Sequence, residues 1–129
     1  MFLPLLSLVL AQFVEEPSAT GRIDGLCLYP EVVRERALGD TLVDCNQARV
    51  EEGGITFGRR GWQQRTRFIG SFEHDRLTVT ALQFRDRAPD EARGVCQLYY
   101  ANDHLTTIAC TATTKRQLTT AANFVVSRI

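Results

Sequence analysis

The sequence predicts a mainly β protein: a small antiparallel sandwich or partly open barrel of seven to eight strands with a C-terminal meander. One short helix is expected near 31–38. Three observations lead there. From Arg65 onward, strand-like runs alternate with turn signals about every ten residues. Threonine is abundant in those runs, and β-branched residues suit a pleated surface. A register test also brings two cysteines face to face, as set out below.

The chain has 129 residues, 44% hydrophobic and 23% charged, with 15 Lys+Arg against 15 Asp+Glu. That length holds about one domain and excludes a large multidomain enzyme. The ordinary apolar content excludes a mostly disordered chain. Zero net charge gives no global pull toward nucleic acid or an anionic membrane, so nucleic acid is not an expected partner. Fourteen of the cations are arginine and one is lysine, Lys115, a bias that composition of the genome explains better than chemistry.

Residues 1–11 read as a signal peptide. The stretch 2–10, FLPLLSLVL, has seven apolar residues in nine, and Val9-Leu10-Ala11 offers a cleavage site. It is far short of the ~20 residues that span a bilayer, so no transmembrane segment is expected. No Lys or Arg precedes the run, which is atypical of a signal. No cysteine follows the site to accept a lipid. Residues 12–21, QFVEEPSATG, read as a flexible lead-in, and 22–129 as a single β-rich domain. The expected location is periplasmic or secreted.

The elements follow in order. Ile23 to Tyr29 is a first strand. Pro30 suits the first position of a helix, with Glu31 in its first turn and Gly39 beyond its end. Val32, Val33, Ala37 and Leu38 form its expected inner face. Leu42 to Val50 is a second strand, closed by the Glu51-Glu52-Gly53-Gly54 turn, and Ile55 to Phe57 a short third. The runs 66–72, 77–85, 94–100, 105–112 and 118–126 complete the set, with turns at 73–76, 86–93, 101–104 and 113–116.

Four cysteines, an even count, point to disulfides in an exported chain. Structural zinc sites bring cysteines two to four residues apart, a spacing absent here. A hairpin centred on residue 103 sets Cys96 opposite Cys110, Leu98 opposite Ile108 and Tyr100 opposite Thr106, all on one face. The predicted disulfides are therefore Cys96–Cys110 and, by elimination, Cys27–Cys45. The same phase continues through Leu118, Thr120, Ala122, Phe124 and Val126.

The main candidate site is basic. No acidic residue lies between Glu52 and Glu73, a window that holds Arg59, Arg60, Arg65 and Arg67 around Trp62. Arginine forks bind phosphate and carboxylate, and guanidinium stacks on indole. The bland alternative is a wet loop with arginine stems lying across a packed Trp62. Alternation places Arg65, Arg67, Ile69 and Ser71 on one face of their strand and Phe68, Gly70 and Phe72 on the other. Tyr99 is a second exposed candidate.

A weaker constellation is His74 and His104, in turns at one end of the meander, with Asp103 beside them. Histidine and carboxylate suit a divalent metal, but no motif spacing is present. No serine sits in a Gly-x-Ser-x-Gly setting. Asp24, Asp44 and Asp86 are the only carboxylates singled out for an acid pair. The Thr78-x-Thr80 and Thr111-x-Thr113 rows are adequately explained by strand propensity. The sequence thus reads as a non-catalytic exported domain that binds an envelope protein or an anionic polymer, with no cofactor. The alternative is a small metal- or acid-pair-dependent hydrolase working at the His74/His104 end.

Overall fold

The computed structural model describes residues 21–36, 39–62 and 65–127. Nine strands are joined in one sheet: β1 (Gly21–Cys27), β2 (Thr41–Leu42), β3 (Gln47–Glu51), β4 (Gly54–Gly58), β5 (Arg65–Glu73), β6 (Arg76–Phe84), β7 (Asp90–Ala101), β8 (His104–Thr114) and β9 (Thr119–Val126). Strands β3 to β9 run as an antiparallel meander. Strand β1 closes it. Its first half, Gly21 to Asp24, pairs with β3, and its second half, Gly25 to Cys27, pairs with β9. The result is an eight-stranded antiparallel barrel. Strand β2 is an extra, parallel addition to β9.

Closure needs a glycine at the point where β1 changes partner. A Cβ on Gly25 would lie 2.3 Å from the Val125 carbonyl oxygen and 2.6 Å from the Phe124 ring. Only a residue without a side chain lets the strand pass so near the opposite wall.

Alternate residues of every strand fill the barrel. Phe57, Phe68 and Phe124 meet at its centre, the first pair edge to face at 5.7 Å and the second tilted at 6.1 Å. Ile55, Leu77, Leu82 and Ile108 are also fully buried. A bulge between Val79 and Ala81 switches the phase of β6, so Leu77 and Val79 point inward before it and Leu82 after it.

Both disulfides form as predicted. Cys96 and Cys110 are register partners on β7 and β8, with Cα atoms 4.0 Å apart. Cys27–Cys45 ties the end of β1 to the segment that follows β2. The hairpin register holds for Leu98 and Ile108. It then slips at a bulge between Tyr99 and Tyr100, so Tyr100 faces Leu105 and not Thr106. The turn itself is a two-residue loop in which Asn102 and Asp103 both take positive φ, the conformation that matches hairpin twist.

Other expectations are corrected. The helix, α1, spans Glu31–Arg36, and none of its residues is buried. Val32 and Val33 are exposed, because the barrel keeps its apolar side inside and offers the helix no apolar layer to pack on. Ala37 and Leu38, like residues 1–20, lie outside the described residues. The expected strand 42–50 is broken at 43–46, where the chain leaves β9 and crosses to β3 with Val43 and Cys45 buried. Strand β7 starts at Asp90, inside the expected 86–93 turn. Leu118 precedes β9 and is exposed, whereas Thr120, Ala122 and Phe124 face the core.

Tyr29 fastens the β2 segment to the barrel. Its hydroxyl donates to the Val43 carbonyl at 2.6 Å, with the Ala121 carbonyl 3.2 Å away. Burial raises its phenol pKa above 10.0; the Asp44 charge acts the same way, and backbone hydrogen bonding at Asn123 opposes it. The folded state therefore favours the neutral phenol, while the unfolded chain ionises first. This contribution is complete below the unfolded value and is lost as pH rises through the folded one. Urea melts at about pH 9 and about pH 11 should show an alkaline loss of stability that Tyr29→Phe lacks. At neutral pH, Tyr29→Phe should be less stable by about 1 kcal/mol.

Candidate functional site

Strand β4 is buried on both faces. Ile55 and Phe57 point into the core, and Gly54, Thr56 and Gly58 point outward yet are equally covered. Their cover is a second, outer layer of arginine and tryptophan. A cross-strand row runs Arg49–Thr56–Arg67–Gln83 through β3, β4, β5 and β6. Gly54 leaves room for this layer: a Cβ there would lie 3.2 Å from Arg67 Nε and 2.5 Å from the Phe68 carbonyl oxygen.

The loop after β4 supplies the roof. Gly61 and Trp62 both take positive φ, 95° and 58°, and the Trp62 amide donates to the Arg59 carbonyl at 2.7 Å. That tight reversal brings the indole back over the sheet. Arg49 lies on its face, 5.1 Å from the ring centroid, a cation–π contact. Under and beside the ring is a groove of about 400 Å³. Arg49, Arg65, Arg67 and Arg85 line it together with Thr56, Gln83 and one acidic residue, Glu51.

The four cations differ in how they are held. Arg65 donates to the Trp62 carbonyl at 2.8 Å and pairs with Asp86. It props the loop and is already neutralised. Arg49, Arg67 and Arg85 form no ion pair with any of the described residues. Two buried donors, Trp62 Nε1 and Arg67 Nε, find no acceptor among the described residues. A buried N–H left unpaired costs about 1–3 kcal/mol, so both side chains gain from a ligand oxygen that reaches them.

The predicted basic set is therefore divided. Trp62, Arg65 and Arg67 come together. Arg59 and Arg60 do not line the groove. Arg59 makes a two-pronged contact with Asp44, at 2.9 and 2.7 Å, and that hydrogen-bonded carboxylate raises its pKa. The Arg60 amide donates to Asn46 Oδ1 at 2.9 Å. Sequence reading missed Arg49, Arg85, Thr56 and Gln83. Pairing across the Glu52-Gly53 turn would have set Arg49 beside Thr56; Arg85, on a distant strand end, had no such signal.

The remaining candidates scatter. His74 sits in the β5–β6 turn, whereas His104, expected in a turn, is the first residue of β8 and pairs with Ala101; both are exposed. Among the described residues no three His, Cys, Asp or Glu gather into a metal-holding group, with Asp103 or otherwise. Asp24 accepts from Gln47 at 3.1 Å, Asp44 from Arg59 and Asp86 from Arg65. Each of these carboxylates is tied to its own neighbour, and they do not form a pair. Tyr99 is exposed on β7, outside the groove. Thr113 and Thr119 hydroxyls bond each other at 3.0 Å across β8 and β9. No helix among the described residues is long and apolar enough to cross a membrane. No protein family, curated protein or solved structure matches the chain.

Proposed function

We propose that this protein is an exported, non-catalytic binding domain that captures an acidic group of an envelope component in the groove beneath Trp62. The observation that carries the reading is the electrostatic state of the groove. Three arginines without ion-pair partners among the described residues, Arg49, Arg67 and Arg85, face one carboxylate, Glu51, in a protein of zero net charge. Guanidinium and indole N–H groups are donors only, so their complement is an oxyanion: carboxylate, sulfate or phosphate. The barrel interior is filled by side chains, which leaves the outer wall for ligand. Two disulfides accord with an oxidising compartment.

Titration of the wild-type protein with inorganic phosphate, sulfate and galacturonate, followed by the fluorescence of its single tryptophan, should give saturable binding that weakens as salt rises. Arg85→Ser, at an exposed position, should lower affinity about tenfold while melting as the wild type does, a loss of one charge-assisted contact. Equal affinity in the variant would remove the groove from consideration. Export is checked separately by intact mass from an export-competent host: loss of residues 1–11 is expected, and an uncleaved chain would contradict it.

A further inference from the structure

We infer that the groove is one half of a longer track, and that its ligand is a linear acidic polysaccharide and not a compact anion. This rests on the anion-binding reading above. A second groove, of about 330 Å³, lies between the β2 segment (Thr41 to Asp44) and the ends of β5 and β6. Arg65 and Arg85 line both grooves, so the two adjoin, the second opening at the end of the barrel where Thr66 and Phe84 line it. The second groove adds Arg87, which makes no ion pair with any described residue. It also holds Asp44, which Arg59 neutralises. Along both grooves the charges uncompensated among the described residues are therefore Arg49, Arg67, Arg85 and Arg87 against Glu51.

These cations are strung out and do not converge. Arg49 and Arg67 stand two strands apart in the same row, about 10 Å between backbones. Arg85 belongs to the next row, where its amide bonds the Arg65 carbonyl, and Arg87 lies beyond the end of β6. A single phosphate or carboxylate reaches two or three of them. A chain with repeated negative charge reaches all four. Two features favour sugar over nucleic acid. Single-stranded nucleic acid is held by bases stacked on aromatic faces, and Arg49 already occupies one face of Trp62. Glu51 is an acceptor in a cationic groove, which suits hydroxyl groups and opposes a chain of phosphates.

The test compares galacturonic acid with oligogalacturonates of increasing length, using the full-length mature chain. Affinity per chain should rise about tenfold or more once the oligomer spans both grooves, as a second linked contact requires. Arg87→Ser should reduce the ratio of oligomer to monomer affinity severalfold. Monomer binding with no gain in length, or a ratio untouched by Arg87→Ser, overturns the track and leaves the anion site standing. Tighter binding of a single-stranded oligonucleotide of equal charge overturns the assignment to polysaccharide. Absence of binding by monomer and oligomer alike overturns both readings.

Discussion

Everything in this structure depends on β1 dividing its pairing between β3 and β9. Without that division the meander from β3 to β9 is an open sheet, its β3 edge bare and its β9 edge covered only by the two residues of β2, an arrangement proteins avoid because edges recruit other strands. With it, the sheet becomes a barrel whose inside is wholly committed to packing. Gly25 makes the crossing sterically possible, and Cys27–Cys45 holds the end of β1 against the segment that leads into β3. Phe57, Phe68 and Phe124 occupy the centre and pack on one another. Recognition is pushed to the outer wall.

On that wall, charge is sorted even though the total is zero. The outward positions of β3, β5 and the end of β6 carry Arg49, Arg65, Arg67 and Arg85. Strands β8 and β9 present Thr107, Ala109, Thr111, Ala121 and Asn123 at their paired outward positions, with no charged residue among them. Acidic groups are spent locally: Asp44 on Arg59, Asp86 on Arg65, Glu91 on Lys115 and Asp90 on Arg116. What is left over is a strip of arginine roofed by the only tryptophan. The indole plays a structural part as well, since it helps bury the outward face of β4 and holds Arg49 in place.

Much of the fold was legible because strands announce themselves by alternation. The meander from β5 to β9, the Asn102-Asp103 turn and the Cys96–Cys110 pairing all follow from period-two patterning and from turn residues that accept positive φ. What misled was irregular. A bulge moves Tyr100 onto Leu105, and a bulge leaves no trace in composition. The 42–50 run is apolar enough to read as one strand, but its middle residues serve a crossing and a disulfide. Val32 and Val33 read with Ala37 and Leu38 as one helix face, yet none of the residues of α1 is buried. The site was half legible. Trp62, Arg65 and Arg67 are close in sequence and close in space. Arg59 and Arg60 look identical to them in sequence, but the Gly61–Trp62 reversal turns the indole back over the sheet and leaves both outside the groove. Arg49 and Arg85 enter only through cross-strand registers, which require the topology first.

The most direct test watches the indole donor of Trp62 itself, which has no acceptor among the described residues. The chain has one tryptophan, so a ¹⁵N-labelled sample yields a single indole N–H resonance for Trp62. If the groove receives an oxyanion at that donor, addition of sulfate should move this resonance downfield along a saturating curve. Arg85→Ser should need more sulfate to reach the same point. An indole resonance that stays in place while backbone amides elsewhere drift with ionic strength would show that anions meet this protein only as diffuse screening charge. The groove would then be a packing feature of β4 and not a binding site.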